Sequence, residues 1–318
     1  MRRQARRARR GSRARDDAAI YGWYPCRVWS RLRLSEWALI VFFSYSALVA
    51  ILFPMGAEWK AAAVGVAAVV SLLALALSRF DKRAPSDPFS VCRDWLPIAL
   101  TLVAYREMNW FTAAHPTHTL EHAWIVWDRL LLHQHGLQRL IEYAGWPLPG
   151  FLELCYLLVY GVGPFAVGTL YAYKRRDLVD RVLFTYLAGT LLAYGLFPYF
   201  PSEPPRTVFV GLDLPNIVTP LRRLNLAIVG GYGIHSSVFP SAHVSSAFSA
   251  GWALLVFLPE HRAVGSGMLV YAAAVAIATV YGRYHYAVDA LAGFGISLVA
   301  LALAIQIKQF SKSAETQC

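Results

Sequence analysis

Charge is scarce in this chain. Of its 318 residues, 15% are Asp, Glu, Lys or Arg and 57% are hydrophobic, whereas a soluble domain carries about a quarter charged residues. That shortage excludes an ordinary soluble fold. The long uncharged runs point instead to a membrane domain, because about 20 apolar residues cross the hydrocarbon core of a bilayer. Cysteine is scarce too. Cys26, Cys92, Cys155 and Cys318 lack any metal-ligand spacing and read as free thiols acting as small apolar residues. His115, His118, Glu121 and His122 form no zincin pattern, so they read as interfacial side chains, and neither metal nor cofactor is expected. No cleavable signal peptide is visible, since the first apolar run begins far into the chain and is long enough to span. Internal repeats are lacking.

What is present is a net charge of +11, unevenly spread. Residues 1–33 hold a dense series of arginines, from Arg2 to Arg33. They read as a disordered topology anchor on the cytoplasmic side rather than a nucleic-acid arm, so no nucleic-acid partner is expected. Apolar runs of spanning length occur at 36–54, 59–78, 95–112, 150–172, 182–200, 240–258, 265–281 and 286–307. The fold class is therefore all-α, a polytopic transmembrane helical bundle. The chain divides into a basic cytoplasmic N-terminus (1–35), accessory transmembrane helices (36–112), an outer amphipathic segment (113–149), a transmembrane core (150–307) and a cytoplasmic tail (308–318).

With the N-terminus in the cytoplasm and eight alternating spans, about 22 of the 30 Lys and Arg fall inside, as the positive-inside rule asks. The same arrangement sends every histidine except His261 to the opposite face. The two counts are independent and agree, which retains the third run despite Arg106, Glu107 and Asn109 in its second half. The protein is expected in a plasma or inner membrane. Outside it, Glu121–Leu132 reads as a tryptophan-bearing amphipathic helix of the kind that lies among lipid headgroups. Residues 198–239, rich in Pro and Gly, read as an irregular loop.

Three groups of residues carry chemistry, all on the outer side. Phe239-Pro240-Ser241-Ala242-His243 precedes an apolar run. Proline suits a first helical turn, whose free N–H groups attract an anion, with Ser241 as a further donor. His243 then stands where a proton can reach a leaving oxygen. Gly282-Arg283-Tyr284-His285-Tyr286-Ala287-Val288-Asp289 starts the last span. His285 and Asp289 are four apart and share a helix face. A carboxylate inside a membrane helix needs a partner, and one that holds an imidazole leaves its other nitrogen free to attack. The third group, Pro201-Ser202-Glu203-Pro204-Pro205-Arg206, is stiffened by proline and aims a guanidinium suited to phosphate. Ser245, Ser246, Ser249 and Ala250 are small residues at helical spacing and read as helix packing. His235 reads as a loop residue near the serine–histidine motif.

Pro240-Ser241-Ala242-His243, followed some forty residues later by His285 and Asp289, resembles the motif set of the type 2 phosphatidic acid phosphatase superfamily. His285-Tyr286 with Asp289, and Pro204-Pro205-Arg206, are similar to the branch of inositol phosphorylceramide and sphingomyelin synthases. The resemblance covers 150–307. It implies a six-helix phosphatase-like core and a metal-independent phosphohistidine mechanism. In that mechanism His285 is the nucleophile, Asp289 its orienter and His243 the acid, while Arg206, Ser241 and Arg283 bind phosphate. Three positions depart from the family pattern. Ala242 stands for glycine, the lysine of the first motif has no counterpart, and Thr279 occupies the place of an arginine that Arg283 approaches from another register. The expected substrate is a membrane lipid, and the expected reaction is transfer or hydrolysis of a phospholipid headgroup, with inositol-phosphate transfer favoured by the resemblance. The alternatives are a lipid-phosphate or polyprenyl-pyrophosphate phosphatase and, in another class, a non-catalytic lipid-binding protein or transporter.

Overall fold

The computed structural model describes residues 31–82, 84, 86–112 and 117–315. The basic segment up to residue 30, His115, Cys26 and Cys318 lie outside the described residues. The fold is all-helical; no strand occurs among the described residues. In chain order come α1 (Leu34–Leu52), α2 (Ala57–Phe80), α3 (Pro88–Met108), α4 (Thr119–Arg129), α5 (Leu137–Glu142), α6 (Pro147–Leu158) and α7 (Val162–Ala172). They are followed by α8 (Val179–Leu196), α9 (Pro205–Val208), α10 (Pro220–Tyr232), α11 (Ala242–Phe257), α12 (Arg262–Tyr281) and α13 (Ala287–Glu315). The last helix thus runs on through much of the segment expected as a tail.

Six stretches are long and apolar enough to cross a membrane: Leu34–Leu52, Ala57–Phe80, Pro147–Ala172, Arg176–Tyr199, Pro259–Tyr281 and Ala287–Phe310. Eight runs were expected from the sequence. The other two are helices at the expected places that differ in kind. α3 has 21 residues but contains Arg93, Asp94, Arg106 and Glu107, and α11 has only 16. α11 is enclosed by protein rather than lipid: it packs on α8, α12 and α13, and Ala247, Ala250, Ala253 and Leu254 are fully buried.

Small residues let these helices approach. Ser245 Oγ donates to the Gly189 carbonyl at 2.8 Å, joining α11 to α8 as the small-residue spacing predicts. A Cβ on Gly293 would lie 2.4 Å from the Ser241 carbonyl oxygen, so only glycine allows α13 this close to the start of α11.

One end of the bundle is tied by buried charge. Arg93, 3% exposed, donates to Glu36 of α1 at 2.6 and 2.7 Å and pairs with Asp81. Arg33 and Arg176 both pair with Asp94. Asp180 at the start of α8 accepts from the amides of Leu34 and Ser35 at 3.0 and 2.9 Å, an acid at a helix N-terminus, where the dipole favours it. Buried charges need such partners, because an unpaired one is costly. Cys92 and Cys155 are free thiols, the second buried in the core.

At the other end the segments around α4 interlace with residues 198–239, which were expected as an irregular loop but contain α9 and the 13-residue α10, begun by Pro220 behind a Thr219 cap. Asp213 accepts from Arg129 and contacts His133, and Glu142 accepts from both nitrogens of Asn216 at 2.8 Å. α4 is amphipathic, but its polar stripe faces inward. Glu121, Ile125 and Asp128 are buried while Val126 and Trp127 are each 65% exposed.

Candidate active site

The last helix pair sets up the first half of the site. α12 ends at Tyr281, and Arg283 takes a left-handed conformation with φ of 60°, the place where helices usually end on glycine. The chain then folds back, with the amides of Tyr284 and His285 both donating to the Thr279 carbonyl at 3.0 and 3.1 Å. Asp289 reaches back one turn to accept from the Tyr286 amide at 2.9 Å, half of a capping box at the start of α13.

Two acceptors hold His285. Its Nδ1 lies 2.9 Å from the Val238 carbonyl and 3.3 Å from Asp289 Oδ2. A carbonyl can only accept, so Nδ1 carries the hydrogen and Nε2 keeps the lone pair. Burial, and after it the Arg206 charge, push the His285 imidazole down to about 3. It is therefore neutral at physiological pH.

The second half comes from α11. Ser241 is the N-cap, its hydroxyl accepting from the Val244 amide at 3.4 Å. Pro240 therefore precedes the cap instead of entering the first turn. The Ser241 amide donates to the Asp289 carbonyl at 2.9 Å, which fixes the two motifs to each other. His243, on the first turn, faces His285 with ring centroids 5.6 Å apart and planes at 87°. Tyr156 and Tyr160 meet its ring edge-on, and the Tyr156 hydroxyl is 3.5 Å from Nε2. The first amides of α11 have no intrahelical acceptor.

Arg206 completes the group. Its guanidinium lies 5.4 Å from the centre of the Tyr284 ring, with Nη1 3.5 Å from the Tyr284 carbonyl. Arg206, His243 and His285 line one cavity, partly open to the surface, with Tyr105, Tyr156, Tyr160, Tyr194, Phe197 and Val229 on its other walls.

Not every sequence candidate reaches this cavity. Ser241 is fully buried at the cap, and Asp289 is fully buried behind His285. Arg283 is also fully buried, paired with Asp128 of α4, and is not among the cavity-lining residues. Asp128 also accepts from the Ala287 amide at 2.8 Å, so one carboxylate grips the His285 turn on both sides. Glu121, two turns earlier on α4, accepts from the Glu203 amide at 2.9 Å and so grips the segment leading to Arg206. Thr279 turns its hydroxyl to the Ala276 carbonyl. His118 contacts Glu121, and His122 meets the Phe209 ring edge-on.

Sequence reasoning missed the tyrosine walls and a buried group beneath them. Glu153 accepts from Arg222, Asn225 and Tyr284 at 2.9, 2.7 and 2.7 Å. Tyr284 stacks on Tyr156 at 3.8 Å. This network supports the two rings that flank His243 and Arg206. A lone glutamate inside an apolar run was the available signal.

Residues 123–303 match the model of the PAP2 superfamily. This chain belongs to that superfamily. A PA-phosphatase related-family protein of Dictyostelium discoideum is 28% identical over 127 residues, which are 37% of this chain and 22% of that relative. The chain therefore spans under a quarter of that relative's length. No solved structure matches. Superfamily membership, with six helices long and apolar enough to span, makes this a phosphatase-like membrane protein. The superfamily segment contains His243, His285, Arg206 and Asp128, and leaves out α1, α2 and α3.

Proposed function

We propose that this protein transfers a phosphoryl-bearing headgroup from a membrane phospholipid through a phosphohistidine. The observation that carries this reading is the perpendicular pair His243 and His285 across one cavity with Arg206. The Nε2 lone pair of His285 attacks phosphorus while the bond to the lipid oxygen breaks. That oxygen takes the proton that His243 acquires as the anionic phosphate binds beside it, Arg206 steadies the phosphate oxygens, and the first α11 amides add donors, with Ser241 acting only as the cap of the helix that presents them. Asp289 and the Val238 carbonyl orient the nucleophile. In the second half an acceptor hydroxyl gives its proton to His243 as its oxygen attacks phosphorus and the N–P bond breaks. Arg283 belongs to the phosphate clamp only indirectly, by shaping the His285 turn.

A lipid hydroxyl as acceptor makes a transferase and water makes a phosphatase. The His-Tyr-x-x-Asp and Pro-Pro-Arg elements favour transfer, with an inositol-phosphate headgroup, over a lipid-phosphate or polyprenyl-pyrophosphate phosphatase. On this reading the site lies on the non-cytoplasmic side, because the positive-inside rule assigns the arginine-rich start of the sequence to the cytoplasm and the Arg33–Asp94–Arg176 cluster lies at the start of the same first helix. Two imidazoles beside a guanidinium at helix ends favour phosphoryl chemistry over a transporter, whose charged groups and broken helices would be expected near mid-bilayer.

The test uses purified full-length protein with headgroup-labelled phosphatidylinositol and candidate acceptor lipids. A new labelled phospholipid supports transfer, and released inositol phosphate or free phosphate supports hydrolysis. Rapid quenching should trap label on His285. Turnover unchanged in His285→Ala would sink the mechanism.

A further inference from the structure

α3 is outside the segment shared with the superfamily, yet its last turn reaches the site. Two of its side chains, with that of Asn109 at its C-cap, bond the backbone of one short stretch. Arg106 Nη1 donates to the Tyr232 carbonyl at 2.9 Å, the Tyr105 hydroxyl accepts from the Ile234 amide at 3.2 Å, and Asn109 Oδ1 accepts from the His235 amide at 2.8 Å. Arg106 is also one of the charged residues that make α3 a poor membrane span. Glu107, between them, turns the other way and accepts from Ser46 at 2.7 Å.

Arg106 thus holds the last residue of α10, and Tyr105 and Asn109 hold the strap that follows it, residues 233–238, leading toward α11. Its far end is pinned separately: Ser237 Oγ donates to the Phe200 carbonyl at 2.6 Å, and the Val238 amide donates to Ser202 Oγ at 3.3 Å. Gly233 makes the exit from α10, where a Cβ would lie 2.3 Å from the Val229 carbonyl oxygen. Gly233, Ile234, Ser237 and Val238 wall the cavity, and the Val238 carbonyl holds His285.

We propose that α3 is a positioning element of the site: Arg106 and Asn109, with Tyr105, fix the 233–238 strap that walls the cavity and holds His285 Nδ1. Backbone amides in a segment without helix or strand need acceptors from elsewhere, and here Tyr105 of α3 and Asn109 at its C-cap supply two of them. A helix that only filled space in the bilayer would present apolar side chains at this position. Placement of a reacting group matters steeply, since a shift of about 1 Å costs up to about a hundredfold in rate. The proposal rests on the reading of His285 as nucleophile only for its effect on turnover.

The test compares wild type, Asn109→Leu, Arg106→Leu and Asn109→Asp in the full chain, each checked for an unchanged thermal midpoint. Aspartate keeps the acceptor oxygen that the His235 amide uses, so it is the conservative control. Three readouts are taken. Hydrogen exchange of 232–238 should quicken about fivefold in the leucine variants, as for one lost hydrogen bond. Carbethoxylation of His285 by diethyl pyrocarbonate, read by mass spectrometry, should change in the leucine variants and keep the wild-type rate in Asn109→Asp. Turnover of phosphatidylinositol in vesicles should fall about tenfold in kcat, with KM moving less. Wild-type exchange in both leucine variants overturns the proposal, and so does quickened exchange with His285 reactivity unchanged. Should wild type and His285→Ala be equally inactive on phosphatidylinositol, the functional reading fails there, while exchange and carbethoxylation still decide whether α3 positions His285.

Discussion

Asp128 and Arg283 are 155 positions apart in the chain and meet in an ion pair from which solvent is excluded. Asp128 also caps the Ala287 amide, so the pair holds closed the turn that carries His285. Removing one partner of a buried pair leaves the other charge stranded, at a cost of about 3–5 kcal/mol. Asp128→Ala should therefore lower the thermal midpoint sharply. The apolar double variant Asp128→Leu with Arg283→Met should recover much of that loss, because it strands no charge. A double variant as unstable as Asp128→Ala would show that the amide cap, not the charge pair, is what matters.

The two facing histidines should be unequal in their effects. His285→Ala removes the attacking nitrogen and should abolish formation of a trapped intermediate. His243→Ala removes an acid, typically worth about 10²–10⁴-fold. It should slow formation least when the lipid alcohol is replaced by a good leaving group such as p-nitrophenol, which needs no proton. Measuring both substrates in both variants separates the roles.

His285 provides a pH signature. The unfolded chain protonates this imidazole near its ordinary value of about 6.5, while the folded one resists down to about 3. Between those values the unfolded state binds the extra proton, so stability falls as pH falls, by up to about 1.4 kcal/mol per pH unit. Comparing the denaturation midpoint of wild type and His285→Gln from pH 7 to 5, the difference should shift against wild type as the solution is acidified. A constant difference would refute it.

Gly293 tests the seam between the motifs. An added methyl group 2.4 Å from the Ser241 carbonyl oxygen must push α13 from α11, and overpacking of this kind costs about 1–3 kcal/mol. Gly293→Ala should lower both stability and turnover. Gly295, whose Cβ would meet nothing within 4 Å, should accept alanine without either effect.

The helical plan was legible because hydropathy is a direct record of the solvent a helix meets. The exceptions have physical causes. α11 is apolar but lies inside the protein, so 16 residues suffice, and α3 carries charges because its ends contact protein rather than lipid. His243, His285 and Arg206 could be singled out because polar groups beside apolar runs are conspicuous. Tyr105, Tyr156, Tyr160 and Tyr194 could not, since an aromatic residue in a membrane helix looks the same whether it faces a cavity or lipid. The inward turn of Glu121 and Asp128 was hidden for a related reason. Periodicity shows that α4 has two faces and does not say which one meets protein.

The hydrogen bond from His285 to the Val238 carbonyl has a stereochemical consequence. With Nδ1 occupied, only the nitrogen remote from the backbone is open to electrophiles. A phosphorylated His285 would therefore be the tele isomer and never the pros isomer. Those two differ in hydrolytic lifetime and in phosphorus chemical shift, so the bond isomer itself carries the imprint of a main-chain oxygen from a different part of the chain.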